Sequence, residues 1–249
     1  MTRYSGGKYF EAGMTDRDVQ AHFDQLADRY DELSHWNSAA IKHHVQRTMG
    51  AILDHVNLTP DSRVLDFGCG TGFYTRLVAV HMKNTVGVDM SIEMLRRGRI
   101  GRNSVNLIRA LGQSLPFKDQ SFDIAISIST FEHVLEVVPV LREIMRVVKA
   151  GGRVLTVVPN RKNNWVEIQR LFRIGDDDQL SMEWRRTEKE MQTYYRAAGL
   201  KDIRSNSFLF VPGLLPDILL HPARQIERIL EFSSFARRYA GTIAISGCA

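Results

Sequence analysis

Apolar residues recur at steps of three and four from Asp16 to Tyr30, as Val19, Phe23, Leu26, Ala27 and Tyr30, which is the spacing of a helix with one buried stripe. A second helix is expected from Ser38, a serine suited to cap it, to about Val56. The pattern then shortens. Arg63-Val64-Leu65-Asp66-Phe67 is a β-branched run that follows the turn signal Thr59-Pro60-Asp61 and ends in glycines. Further strands are expected at Thr85–Val88, Val105–Ile108, Phe122–Ile126 and Arg153–Val158, separated by helical stretches at Tyr74–His81, Ser91–Arg99 and Pro139–Val148. Alternation of this kind predicts a doubly wound α/β fold, a mostly parallel sheet with helices on both faces.

Later elements carry sharper punctuation. Thr187-Glu188-Lys189-Glu190 is a capping box, and Gly199 closes the helix Met191–Ala198 from the other end. A strand at Ile203–Phe210 follows, then an amphipathic basic segment, Pro222–Arg238, and a last strand at 241–246. The whole predicts a seven-stranded, doubly wound sheet with N-terminal helices and a helical cap. With no repeat or low-complexity linker, residues 1–249 form one domain, divided into an N-terminal lid (1–58), a cofactor-binding core (59–158) and an acceptor cap (159–249).

Composition narrows the class. The 249 residues carry 33 Lys+Arg against 28 Asp+Glu, a net charge of +5, with 44% hydrophobic residues. At about 150 residues per domain this suits one large α/β domain with elaborations. Two cysteines, Cys69 and Cys248, make neither a disulfide framework nor a cysteine zinc site, and favour a reducing compartment. The stretch Met1–Lys8 lacks the apolar core of a signal peptide, so a cytoplasmic location is expected. The most apolar window, Phe208–Leu220, is broken by Pro212, Gly213, Pro216 and Asp217 and is too short to cross a bilayer. A charge of +5 spread over this length is weak support for nucleic acid as a partner.

The chemistry concentrates at Val64-Leu65-Asp66-Phe67-Gly68-Cys69-Gly70-Thr71-Gly72, where a strand passes into a helix and glycines let backbone amides approach a ligand. The spacing is GxGxG; position 73 is Phe73, so the nicotinamide fingerprint GxGxxG is absent, as is the Gly-Lys-Ser/Thr end of a P-loop. Asp66 at the strand end would repel a pyrophosphate but suits a ligand with an ammonium group. Seventeen residues beyond Gly72, Asp89 ends the second strand and is placed to accept hydrogen bonds from two ribose hydroxyls. One acid for an amine and one for a ribose describe S-adenosylmethionine.

With these features the chain resembles the class I S-adenosylmethionine-dependent methyltransferases, in the branch similar to ubiquinone/menaquinone-biosynthesis C-methyltransferases. The resemblance spans about Phe23 to Pro159: the helix Phe23–Asp31, the Asp66–Gly72 turn, Val86–Ser91, Leu115-Pro116-Phe117 with Ser121-Phe122-Asp123, Glu132-His133-Val134, and Leu141–Val157 with Gly151-Gly152. It implies a Rossmann-like sheet with an antiparallel last strand, and that Asp66 and the backbone of Gly68, Cys69, Gly70 and Gly72 hold the methionine end. Asp89 would hold the ribose, Met90 lie on one adenine face, and Gly112 and Gln113 border the adenine edge. Tyr30 would close over the methionine carboxylate, and Ser127 joins the cofactor set where the fourth strand ends. One departure stands out: Leu111 occupies the place of the acid that usually contacts the adenine amino group, so either Gln113 makes that contact or packing holds the base.

The loop Ser127–His133 is the expected transfer site. His133 is the candidate general base for a phenol or enol, with a structural role in the loop as the equal alternative. Glu132 is expected at the surface or in a helix-end contact, and Cys69 as packing beside the ligand. The Arg96, Arg97, Arg99, Arg102 cluster reads as a solvated face, and His35, His43 and His44 lack the ordered spacing of a metal site; no metal is expected. Trp165, Ile168, Leu171, Phe172 and Trp184, with Phe208, Phe210, Leu214, Leu215, Ile218 and Leu219, are candidates to wall an apolar acceptor pocket. The expected partner is therefore a small, apolar acceptor methylated on carbon or oxygen. Pro222–Arg238 is either an ordinary surface helix or a peripheral membrane contact. Two rivals stay open: a cofactor-binding regulatory module without chemistry, and an RNA or protein methyltransferase, against which the absence of an Asn/Asp-Pro-Pro-Tyr sequence weighs.

Overall fold

The computed structural model describes residues 14–33, 38–82, 84–100, 105–163, 185–213 and 215–249. His35, Arg102, Trp165, Ile168, Leu171, Phe172, Trp184 and Leu214 lie outside the described residues.

Two helices come first, α1 (Asp16–Leu33) and α2 (Ala39–His55), the latter capped by the Ser38 hydroxyl accepting from the Ile41 amide at 3.1 Å. The core alternates as expected: β1 (Arg63–Phe67), α3 (Phe73–Ala79), β2 (Asn84–Asp89), α4 (Ile92–Arg99), β3 (Asn106–Arg109), β4 (Phe122–Ile128), a 3₁₀ turn (Phe131–His133), α5 (Val137–Val147) and β5 (Val148–Pro159). It continues with α6 (Glu188–Ala198), β6 (Lys201–Phe208), α7 (Asp217–Phe232), the short α8 (Ser234–Arg237) and β7 (Thr242–Cys248). The Thr187–Glu190 capping box forms with both reciprocal bonds, and Gly199 ends α6 in the left-handed region at φ +107°.

One seven-stranded sheet runs β3-β2-β1-β4-β5-β7-β6. The pairs β3–β2, β2–β1, β1–β4 and β4–β5 are parallel, and β7 is antiparallel to both β5 and β6. The fold is the Rossmann-like one anticipated. Strand order reverses between β1 and β4, and in open α/β sheets a ligand crevice forms beyond the carboxyl ends of the strands at such a point.

The sheet is buried on both faces. Leu65 and Phe67 of β1 join Phe122, Phe131, Leu141, Ile144, Met191 and Tyr195 on one side. Val64, one residue out of phase, joins Ile52, Val78, Ile126, Leu155 and Phe208 on the other.

Two departures concern α7. It starts at Asp217, five residues before the expected start, with Pro222 inside it. The ring removes the bond to the Ile218 carbonyl, and Ile218 is 86% exposed, so water serves that oxygen. Ile218 and Leu219, expected to wall the acceptor pocket, both face outward. The inward side of α7 is fixed instead by Glu227, 3% exposed, which bonds His43 Nε2 at 2.9 Å and accepts from the Phe210 and Val211 amides at 2.9 and 3.0 Å. No helix among the described residues is long and apolar enough to cross a membrane.

Candidate functional site

The turn after β1 is held open by its own backbone. Gly68, Gly70 and Gly72 all adopt positive φ, +73°, +54° and +75°. The Gly68 and Cys69 amides donate to the Val88 carbonyl at 2.8 and 3.0 Å, tying the turn to β2. The demands on the first two glycines differ. A Cβ on Gly68 would stand 2.1 Å from Thr130 Cγ2 and 2.3 Å from its hydroxyl, whereas one on Gly70 would meet only Tyr30 Cε1, at 3.9 Å. Gly68→Ala is therefore expected to lose about 2–5 kcal/mol through backbone strain and overpacking, and Gly70→Ala clearly less, measured by denaturant unfolding. Equal losses would contradict the role given to Thr130.

Asp89 fastens the turn from the other strand. Its Oδ2 accepts from the Gly70 amide at 2.8 Å and its Oδ1 from the Ser91 amide at 2.9 Å. A carboxylate has about four acceptor positions, so each oxygen keeps one for a ligand. Burial holds its pKa above the ordinary carboxylate value. Asp66 is more deeply placed, 2% exposed, with the Thr75 hydroxyl donating to Oδ2 at 2.6 Å. Burial pushes its pKa up to about 7, reinforced by the negative charge of Asp89.

Two cavities flank this turn and share Tyr30, Gly68, Gly70 and Ser129. The first adds Phe67, Asp89, Met90, Leu111, Gly112 and Gln113, and the second adds Asp66, Cys69, Tyr74, Ile128, Val157 and Leu209. Of the residues expected at the cofactor, Asp89, Met90, Gly112 and Gln113 thus come together on one side and Asp66 and Cys69 on the other, with Tyr30 spanning both. Gly72 stands behind them as the cap of α3, and Ser127 is buried in β4; neither lines either cavity. The Gln113 amide nitrogen donates to Asp16 at 2.8 Å, leaving its carbonyl oxygen for the adenine edge.

His133 takes a place the sequence did not suggest. It lines the first cavity, beside Gly112 and Val140, and packs edge-on against Phe23 with ring centres 5.0 Å apart. Burial lowers its pKa to about 4, so the ring is neutral at physiological pH and a weak proton acceptor there. Glu132 departs from expectation: it is 7% exposed, its Oε2 has no hydrogen-bond partner among the described residues, and burial raises its pKa to about 7. Phe131, beside it in the 3₁₀ turn, is fully buried in the core, and Glu132 is buried with it. The Cys69 thiol is pushed up by burial, which leaves it protonated and suits packing beside a ligand. His44 Nε2 donates to the Val211 carbonyl, 2.6 Å away, and the residue also lines the second cavity.

Acids that the sequence reading passed over tie α1 to the loops around the turn. Gln113 bonds Asp16, the Ser91 hydroxyl donates to Asp24 at 2.5 Å, and the Thr71 hydroxyl donates to Asp31 at 3.0 Å. Three acids spaced eight and seven residues apart lie on one face of α1 and staple it across the mouth of the turn. That spacing was the available signal.

Residues 65–156, from β1 through most of β5, match the family described as "Methyltransferase domain". The core is thus similar to a methyltransferase domain. Over 139 residues the chain is 34% identical to a demethylmenaquinone methyltransferase of Renibacterium salmoninarum, covering 55% of this chain and 57% of that one. It thus spans little more than half the length of that relative. In fold it is similar to a SAM-dependent methyltransferase of Thermotoga maritima (TM-score 0.64, 19% identity, 92% of this chain and 99% of that one). It is as similar to the [4+2]-cyclase SpnF (TM-score 0.64, 18% identity, 98% of both chains). The two structures share this fold while their names differ, so the chemistry has to be argued from the site.

The residues around the turn fit S-adenosylmethionine. Asp89 has spare acceptors for two hydroxyls, Asp66 is a buried carboxylate with no cation beside it among the described residues, and the positive-φ glycine at position 70 leaves open space that a side chain would fill.

Proposed function

We propose that this chain is an S-adenosylmethionine-dependent methyltransferase acting on carbon or oxygen of a small, apolar molecule. What carries the reading is the pair of cavities meeting at Gly68, Gly70, Tyr30 and Ser129, one with a carboxylate to accept from a nucleoside's hydroxyls and the other walled by apolar and polar residues together. S-Adenosylmethionine supplies an already electrophilic methyl group, so the protein has mainly to align a nucleophile with it and exclude water.

The residues divide that work. Asp89 receives the ribose hydroxyls while holding the Gly70 and Ser91 amides, and Met90 and Gly112 bound the base. Asp66 receives the ammonium of the methionine end, close to the second cavity. Tyr30 covers the turn between them, and burial raises the pKa of its hydroxyl, which stays a neutral hydrogen-bonding group. Ile41, Val45, Ile128, Val157 and Leu209 present an apolar surface to the acceptor. His133, on the nucleoside side and neutral, acts by accepting a hydrogen bond there; the second cavity holds His44 instead. The likeness to demethylmenaquinone methyltransferase favours a quinone-type acceptor.

Calorimetric titration with S-adenosylmethionine and, separately, S-adenosylhomocysteine is expected to give micromolar binding of both. Well-folded protein that binds neither would overturn the proposal.

A further inference from the structure

The outer face of α7 has no partner among the described residues. At 3.6 residues per turn, Ile218, Leu219, Pro222, Ile226, Ile229 and Phe232 fall within an arc of about 140°. This arc is exposed: Phe232 is 91%, Ile229 70% and Ile226 57% open to solvent. Phe235, on α8 immediately beyond, extends it and is itself 65% exposed. Single exposed apolar residues are ordinary, but a run of this kind along one helix is an interaction surface.

Charge says what it meets. His221, Arg224 and Arg228 line one flank of the arc, and Arg237 and Arg238 follow at its end. None of the four arginines forms an ion pair among the described residues. The acids in the second half of α7 are turned away and occupied: Glu227 is bound by His43 and the Phe210 and Val211 amides, and Glu231 by Arg47. Asp217, in the first turn, is exposed on the arginine flank, so a second copy of the chain packed helix to helix would bring this surface a single free carboxylate against its arginines. An anionic bilayer offers both what the strip lacks, an apolar interior at the depth of the side chains and phosphates at the level of the arginines.

We propose that α7 and α8 dock this protein on the surface of an anionic phospholipid bilayer, lying in the plane of the interface with Ile218, Ile226, Ile229, Phe232 and Phe235 inserted and the flanking arginines on the phosphates. The anchoring is rigid, because the opposite side of α7 is clamped by Glu227 to α2 and to the end of β6. Those two elements also wall the second cavity, through Ile41, Val45, Thr48 and Leu209. On the methyl-transfer reading, docking brings the acceptor cavity to the bilayer from which an apolar acceptor would be drawn. The lipid contact itself does not depend on that reading.

The test is co-sedimentation of the full chain with vesicles of equal parts phosphatidylglycerol and phosphatidylcholine, against vesicles of phosphatidylcholine alone. Binding is expected to the anionic vesicles, at least tenfold weaker to the neutral ones, and weakened by salt. Arg224→Gln and Arg228→Gln should each lower it by roughly fivefold. Ile229→Asp with Phe232→Asp should abolish it while leaving the melting temperature and the affinity for S-adenosylhomocysteine unchanged, since both positions are at the surface. Folded wild-type protein that stays in the supernatant overturns the proposal, as does binding that survives the double substitution. So does a concentration-dependent dimer that the double substitution dissolves while vesicle binding is absent.

Discussion

Asp89→Ala is expected to lower the affinity for S-adenosylmethionine by a hundredfold or more. The aspartate makes two kinds of contact at once: it holds the Gly70 and Ser91 amides at 2.8 and 2.9 Å, and on the proposed reading its remaining acceptor positions take the two ribose hydroxyls. A hydrogen bond to a charged partner contributes about 1.5–3 kcal/mol, so losing two toward the ligand alone amounts to about 3–6 kcal/mol. The alanine also leaves two backbone donors at the edge of the cavity without their carboxylate, loosening the turn that should receive the ligand. Asp89→Asn separates the parts, because its one carbonyl oxygen can hold one amide or one hydroxyl but not the whole set; its affinity should fall between wild type and alanine. Calorimetry with a parallel thermal melt measures both. An alanine variant that binds as tightly as wild type would remove Asp89 from the ribose.

How much of this was legible in the chain depends on the distance over which each feature is determined. The strand Arg63–Phe67, the glycine turn, the acid closing β2 and the capping box at Thr187 are local, each fixed by a few neighbouring residues, and all appear where the pattern puts them. The antiparallel end of the sheet was implied by the family resemblance and not by the pattern of apolar residues. Glu132 was different: whether a glutamate at a strand end meets water depends on what covers it, and Phe131 and the edge of the core decide that. The direction of α7 was hidden for the same reason. Ile218 and Leu219 looked like pocket walls in a helix whose apolar stripe was plain, but the inward side is chosen by Glu227, whose partners His43, Phe210 and Val211 come from two other parts of the chain. The placement of His133 on the nucleoside side required knowing that the 3₁₀ turn after β4 leans toward Gly112 and Val140. The three staples of α1 could have been found from the spacing of Asp16, Asp24 and Asp31, but their partners lie on three separate loops.

The pH dependence of binding should show Asp66 directly, and with a sign opposite to that of stability. Burial raises its pKa to about 7 in the unliganded protein, with Thr75 the hydrogen-bond donor beside it. An ammonium ligand needs the carboxylate, so affinity for S-adenosylhomocysteine should fall as pH drops through 7, approaching tenfold per unit between about pH 6.5 and 5. The unliganded fold responds the other way. A carboxyl whose folded pKa lies above its unfolded value stabilises the fold most below the unfolded value, and that contribution is lost as pH rises toward about 7; Glu132, also raised to about 7, adds in the same direction. Between pH 5 and 7 these two carboxyls should therefore add stability on acidification, against the opposing contribution of His22 and His133, whose lowered pKa values favour the unfolded state there, while affinity for the ligand falls. Asp66→Asn removes the ionisation: its affinity should be weak at pH 8 and flat down to pH 5, and its melting temperature should gain less on acidification than that of wild type. Calorimetry and thermal melts at half-unit steps of pH test both halves together. A wild-type affinity that is constant from pH 8 to 5 would mean that Asp66 is not the partner of the ammonium group, whatever its place in the fold.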